Sequence, residues 1–126
     1  FKSISNKNSN NLVFDFQNSG SGNIRIFVVG DVDLGKNTSS IINGGSPSRI
    51  FMEIHGNGTT SSINTFAFTI SNGASNSTSW LGTVWAPYAA INIGSGTGSS
   101  FIDGSLWSAS QVNIQSGATV NFSPTH

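Results

Sequence analysis

Leu81-Gly82-Thr83-Val84-Trp85-Ala86 is followed, about 22 residues on, by Asp103-Gly104-Ser105-Leu106-Trp107-Ser108. Glycine, small hydroxyl residue, aliphatic, tryptophan and small residue recur in the same order. A second matching piece follows each: Ala90-Ile91-Asn92-Ile93-Gly94, then Gln111-Val112-Asn113-Ile114-Gln115. A repeat of this length, made of short alternating strands between Gly, Ser and Asn turns, predicts the coils of a β-solenoid. Such a fold presents surfaces rather than a cleft, so the architecture is more legible than the activity.

Working outward, the triplet apolar-polar-apolar also occurs at Val32-Asp33-Leu34 and Phe68-Thr69-Ile70. Strand side chains alternate between faces, so the outer two residues of each triplet point inward and the middle one outward. Stacking then makes a polar ladder of Asp33, Thr69, Asn92 and Asn113, in which amides bond from rung to rung. By the same rule Val84, Leu106, Ile91, Val112, Ile93 and Ile114 line the interior. The pattern predicts an all-β parallel solenoid of about five coils over residues 24–126, with a repeat of about 22 residues. Residues 1–23 match the repeat poorly and are expected to form a cap or edge segment. The Ser/Asn/Gly-rich stretches 35–49 and 71–79 are expected to be corner loops.

Composition narrows the function classes. Charged residues make up 8% of the 126-residue chain and net charge is zero, against about 25% charged in ordinary soluble domains. A neutral surface rich in hydroxyls and amides fits an extracellular or cell-surface protein of a bacterium or archaeon, and gives no electrostatic basis for binding nucleic acid. No apolar run approaches the length that spans a bilayer, so membrane insertion is not expected. With no signal peptide in view, a mature form or an excised domain is expected. There are no cysteines, hence no disulfides or thiolate sites.

Candidate site residues are the aromatics. Val84 and Leu106 point inward, so Trp85 and Trp107 point outward from equivalent positions. Met52 is expected to continue this stripe, with Val28 beyond it, while Trp80 and Tyr88 at nearby turns join the platform. An outward apolar stripe marks a contact surface unless the N-terminal segment, with Phe14 and Phe16, folds over it. Asp31 and Asp33 read as a solvated pair, since calcium needs six or more oxygen ligands. His55 and His126 lie far apart without a metal-binding pattern. Asp31, Asp33 and Glu53 are the acids available for glycoside cleavage. No nucleophile elbow or phosphate loop occurs, and neither enzyme activity, a metal nor a cofactor is expected.

The run Gly82-Thr83-Val84-Trp85-Ala86-Pro87-Tyr88-Ala89-Ala90-Ile91-Asn92-Ile93 resembles a coil of the bacterial choice-of-anchor A type adhesive domain. Asp103 to Ser108 resembles the coil after it, and Ile50 to Gly56 the coil before. More distantly the chain is similar to the bacterial ice-binding β-solenoids, in which a long helix packs along one face; no segment here has helical periodicity. The resemblance implies a right-handed solenoid, an extracellular location and no catalysis, and it transfers no binding residue. The expected function is a structural or adhesive surface module, its partners being other surface proteins or further copies assembled into filaments or a matrix. The solenoid's open edges favour such pairing, with Pro124 a mild block beyond the last strand. A carbohydrate-binding module using the tryptophan stripe is the alternative. Ice binding ranks third, because the outward residues are mixed rather than a regular threonine array.

Overall fold

Each complete coil of this chain bends through three short strands, and every strand pairs in parallel with a counterpart in a neighbouring coil. This is a computed structural model, describing residues 1–6, 8–35, 37–56, 65–73 and 78–122. The first coil holds β1 (Ile4–Asn6), β2 (Asn11–Asp15) and β3 (Ile24–Val28). The second holds β4 (Val32–Leu34), β5 (Ser39–Asn43) and β6 (Ile50–Ile54), with a short 3-10 turn at Pro47–Arg49 before β6. The third holds β7 (Phe66–Ser71), β8 (Thr78–Leu81) and β9 (Thr83–Ala86). The fourth holds β10 (Ala90–Ser95), β11 (Ser100–Gly104) and β12 (Leu106–Ser108). β13 (Val112–Ile114) and β14 (Ala118–Phe122) begin a fifth. The protein is therefore an all-β parallel solenoid of four complete coils and part of another, slightly short of the five expected.

Three walls result. Wall one is the sheet β1-β4-β7-β10-β13, and wall three is β12-β9-β6-β3. Wall two comprises the pair β2-β5 and the sheet β14-β11-β8. Serine side chains join its two parts. The Ser40 N–H donates to Ser79 Oγ at 2.9 Å, and Ser40 Oγ donates to the Ser79 carbonyl at 2.9 Å.

The expected register holds. Val84 pairs with Leu106, Trp85 with Trp107, and Asn92 with Asn113. The wall-one ladder runs Ser5, Asp33, Thr69, Asn92, Asn113. Asn92 Oδ1 accepts from Asn113 Nδ2 and from Gln115 Nε2, both at 2.8 Å. The amide ladder is thus a pair of real bonds between the last two coils.

Burial follows parity. Val84, Ile91 and Ile93 are fully buried, with Leu34, Ile50, Ile54, Phe68 and Ile70 from earlier coils. Val112 and Ile114 occupy the same inward columns but are exposed, and Leu106 is only half-buried. An inward side chain is buried by the rungs on both sides of it, and no described rung covers the last coil.

Two loop expectations are corrected. Residues 35–49 contain β5, which pairs with β2 from Asn11↔Ser39 to Asp15↔Asn43. Residues 71–79 contain the start of β8 and the end of β7, while 74–77 lie outside the described residues. Serine-rich strands gave no apolar alternation to read, because Ser40 and Thr78 face inward in place of hydrophobic residues and are buried. Residues 1–23 contribute β1 and β2 to walls one and two, so the expected edge segment is the solenoid's first coil. The expectations resting on Pro124 and His126 lie outside the described residues.

Candidate functional site: an aromatic wall

Wall three carries a line of outward side chains on consecutive rungs. The register sets Phe27 against Glu53, Glu53 against Trp85, and Trp85 against Trp107. Trp85 is 41% exposed, Phe27 55% and Trp107 62%. Beside this line lies a second, Arg25-Phe51-Thr83, on the same outward parity. The Phe51 and Trp85 rings are tilted at 44° with centroids 6.3 Å apart. On the other side, at the corner leading to wall one, exposed Tyr88 meets His55 edge to face at 5.0 Å. His55 Nε2 lies 2.7 Å from Glu53 Oε1. The wall is an aromatic surface in which Glu53, set between Phe27 and Trp85, bonds to His55 at the corner.

The strand period decides which residues take part. Trp85 and Trp107 face out because Val84 fills the core behind them. The N-terminal segment does not cover them: Leu12 and Phe14 of β2 join the core behind wall two. Three expected members of the platform are absent from it. Met52 pairs with Val84, faces inward and is buried; its neighbour Glu53 holds the outward position. The apolar alternation Ile50-Met52-Ile54 signals this parity, and a charged residue between them belongs in water. Val28, likewise, is paired with Ile54 and buried.

Trp80 is the third. It is fully buried on β8, opposite Ile102. Its ring meets Phe14 edge to face at 5.6 Å and Phe68 at 5.8 Å, and its Nε1–H donates to the Gly82 carbonyl at 3.1 Å. The indole is a core hub rather than part of a binding surface. The signal lay in the repeat: extended back by one position, it sets Trp80 on the inward Ile102. Sequence reasoning also missed Phe27 and Phe51, which alternate with Ile24, Ile26, Ile50 and Met52 and so share the outward parity of Trp85.

Asp33 and Glu53 do not converge. Asp33 faces out from wall one, whereas Glu53 faces out from wall three. Among the described residues no three acidic or histidine side chains gather as a metal site, and no helix is long and apolar enough to cross a membrane.

These features define a class: a three-walled parallel β-solenoid whose distinguishing surface is a wall of exposed aromatic side chains. A family model described as "Domain of unknown function (DUF7305)" matches residues 5–125, and the chain belongs to that family. No curated protein and no solved structure matches it. The comparisons supply no link to the choice-of-anchor A or ice-binding proteins that the coils resemble.

Proposed function

We propose that this chain is a non-catalytic structural or adhesive module of a bacterial or archaeal cell surface, and that it meets its partner through wall three. The observation that carries this reading is the set of exposed rings: Phe27, Trp85 and Trp107 on the outward side of wall three, with Tyr88 at its corner. Exposed contiguous apolar surface in an otherwise polar protein marks a contact site. Aromatic rings on a pre-ordered backbone lose little entropy on binding, and each offers about 150–250 Å². The nearly uncharged, cysteine-free composition supports an extracellular setting, and the division of Asp33 and Glu53 between two walls speaks against acid–base catalysis.

A specific observation favours polysaccharide as the partner. The Glu53–His55 pair supplies a hydrogen-bond acceptor and donor amid the rings. Sugars present apolar ring faces edged with hydroxyls, so they use both. The wall-one ladder of Ser5, Asp33, Thr69, Asn92 and Asn113 is mixed in size and chemistry, which gives ice binding no support.

The test is the double variant Trp85→Ser/Trp107→Ser, compared with the unaltered chain for retention on a panel of insoluble polysaccharides and on whole cells. Retention should weaken at least tenfold, because a buried large apolar side chain is worth about 1.5–3 kcal/mol and about 1.4 kcal/mol is a factor of ten. The β-rich circular dichroism spectrum should not change. Undiminished retention by the folded double variant would remove wall three from the contact.

A further inference from the structure

Three Asn-Gly pairs occur in the chain, at Asn43-Gly44, Asn57-Gly58 and Asn72-Gly73. Asparagine before glycine can rearrange without a catalyst, because the glycine nitrogen approaches the side-chain amide with no side chain of its own in the way. Asn57-Gly58 lies outside the described residues, and the fold treats the other two pairs differently. Asn72 is 8% exposed, and its Nδ2 donates to the carbonyls of Gly96 at 3.1 Å and Ser116 at 3.2 Å. The Gly73 N–H donates to Ser99 O at 2.8 Å. Asn43, by contrast, is exposed at the end of β5, and Gly44 follows it in the exposed turn towards wall three with a φ of +71°. Among the described residues neither the Asn43 side-chain amide nor the Gly44 N–H has a hydrogen-bond partner.

We propose that Asn43-Gly44 is a self-modifying site, at which the folded chain converts Asn43 to aspartate and isoaspartate while Asn72 is preserved. The Gly44 nitrogen gives up its proton and attacks Asn43 Cγ. A new C–N bond forms, the bond from Cγ to Nδ2 breaks, and ammonia leaves with the proton, so an imide ring remains. Water then adds to either imide carbonyl. Opening at Cγ gives aspartate, whereas opening at the former main-chain carbonyl gives isoaspartate, with the chain routed through Cβ and Cγ. In sum one water is consumed and one ammonia released, with no oxidant or reductant. At Asn72 the same attack must first break the Gly73–Ser99 bond and free a buried amide, so it waits on local opening.

The position of Asn43 decides the consequence. It is paired with Asp15 of the first coil, and both residues stand on the exposed side of wall two. Conversion sets a new carboxylate one rung, about 4.8 Å, from another, and like charges directly opposite are destabilising. Asp15 is tied in place, since its Oδ1 accepts the Gln17 N–H at 2.8 Å. That bond holds the turn of Gln17 and Asn18, whose φ angles are 51° and 57°. Gly44 lies against this turn: a Cβ on it would fall 2.7 Å from the Asn18 nitrogen. Isoaspartate lengthens the backbone at the same place, where Asn43 O accepts the Phe16 N–H at 2.9 Å. Modification therefore loosens the corner that joins the first two coils. This chemistry does not depend on what wall three binds.

Peptide mass mapping of the purified chain, held in mildly alkaline buffer, should show the amide-to-acid mass gain at Asn43 at least about tenfold faster than at Asn72, the factor set by about 1.4 kcal/mol of local opening. An isoaspartyl methyltransferase should label the Asn43 peptide. In denaturing urea the two sites should convert at similar rates, because the fold and not the dipeptide separates them. Asn43→Gln, whose longer side chain closes the ring slowly, should remove the reaction at that position. Asn43→Asp should unfold at a lower urea concentration than the parent at neutral pH, and adding Asp15→Asn should recover most of the loss. Equal rates at Asn43 and Asn72 in the folded chain, or an Asn43 that converts only in urea, would overturn the site. An Asn43→Asp midpoint equal to the parent's would overturn its effect on the corner.

Discussion

Gly104 shows how little room a stacked coil leaves at its corners. A methyl group there would overlap the carbonyl oxygen of Gly82 in the coil below. That carbonyl also accepts the Trp80 indole N–H, and the Gly82 N–H donates to Asp103 O at 2.8 Å. Gly82 carries a second constraint, since its φ is +125° and its own Cβ would fall 2.7 Å from Ile50 Cβ. The glycines of the repeat are thus fixed by backbone approach rather than by turn flexibility alone. Gly104→Ala should destabilise the fold by about 1–3 kcal/mol, the usual cost of overpacking. Gly20→Ala, where a Cβ meets nothing within 4 Å, should change stability by less than about 0.5 kcal/mol. Urea denaturation of both variants checks the pair. Equal midpoints would mean the corner relaxes freely.

Among the elements, β5 and β8 form the one junction where wall two relies on side chains. The Ser79 N–H reaches the Thr38 carbonyl at 2.8 Å, but the return bond from the Ser40 N–H goes to the Ser79 hydroxyl. Ser40 is buried, so its N–H has no water to replace a lost acceptor. Ser79→Ala should therefore cost about 1–3 kcal/mol, the penalty of an unsatisfied buried polar group. Ser39→Ala, one residue before Ser40 on β5 and half-exposed, is the comparison that should stay near the parent. An unchanged denaturation midpoint for Ser79→Ala would show that the two ladders close up and pair through their backbones. A neighbouring corner is held differently. Arg49 Nε donates to Gly22 O at 2.7 Å and its Nη1 to Ser19 O at 3.0 Å, with the guanidinium 4.2 Å from the centre of the Phe16 ring. This staple joins the first two coils, where the sequence repeat is weakest.

For the whole molecule, stability is close to a sum over neighbouring coils, so position along the axis governs local opening. The middle coils hold the fully buried residues, whereas Val112, Ile114 and Val120 of the last are exposed. Hydrogen exchange in dilute solution should find the amides of β7 to β11 protected most, and those of β13 and β14 exchanging faster by an order of magnitude or more. Uniform protection at every dilution would mean the solenoid opens only as one unit. The sequence alone determined that the chain coils, because Gly82 to Ser108 repeats residue type by residue type and the strand period of two fixes which side chains face in. It therefore also determined the pairs Trp85–Trp107 and Asn92–Asn113. It did not determine the register of the earlier coils, where insertions stretch the repeat: the paired column Val32, Phe68, Ile91, Val112 is unevenly spaced. A one-residue slip there exchanges the two faces, which is why Met52 reads as surface and Phe27 and Phe51 do not stand out. The identity of the exposed wall and the serine-stitched junction were decided only by tertiary stacking. Each depends on what lies one rung above and below, and a residue's neighbour along the chain is not its neighbour along the solenoid axis.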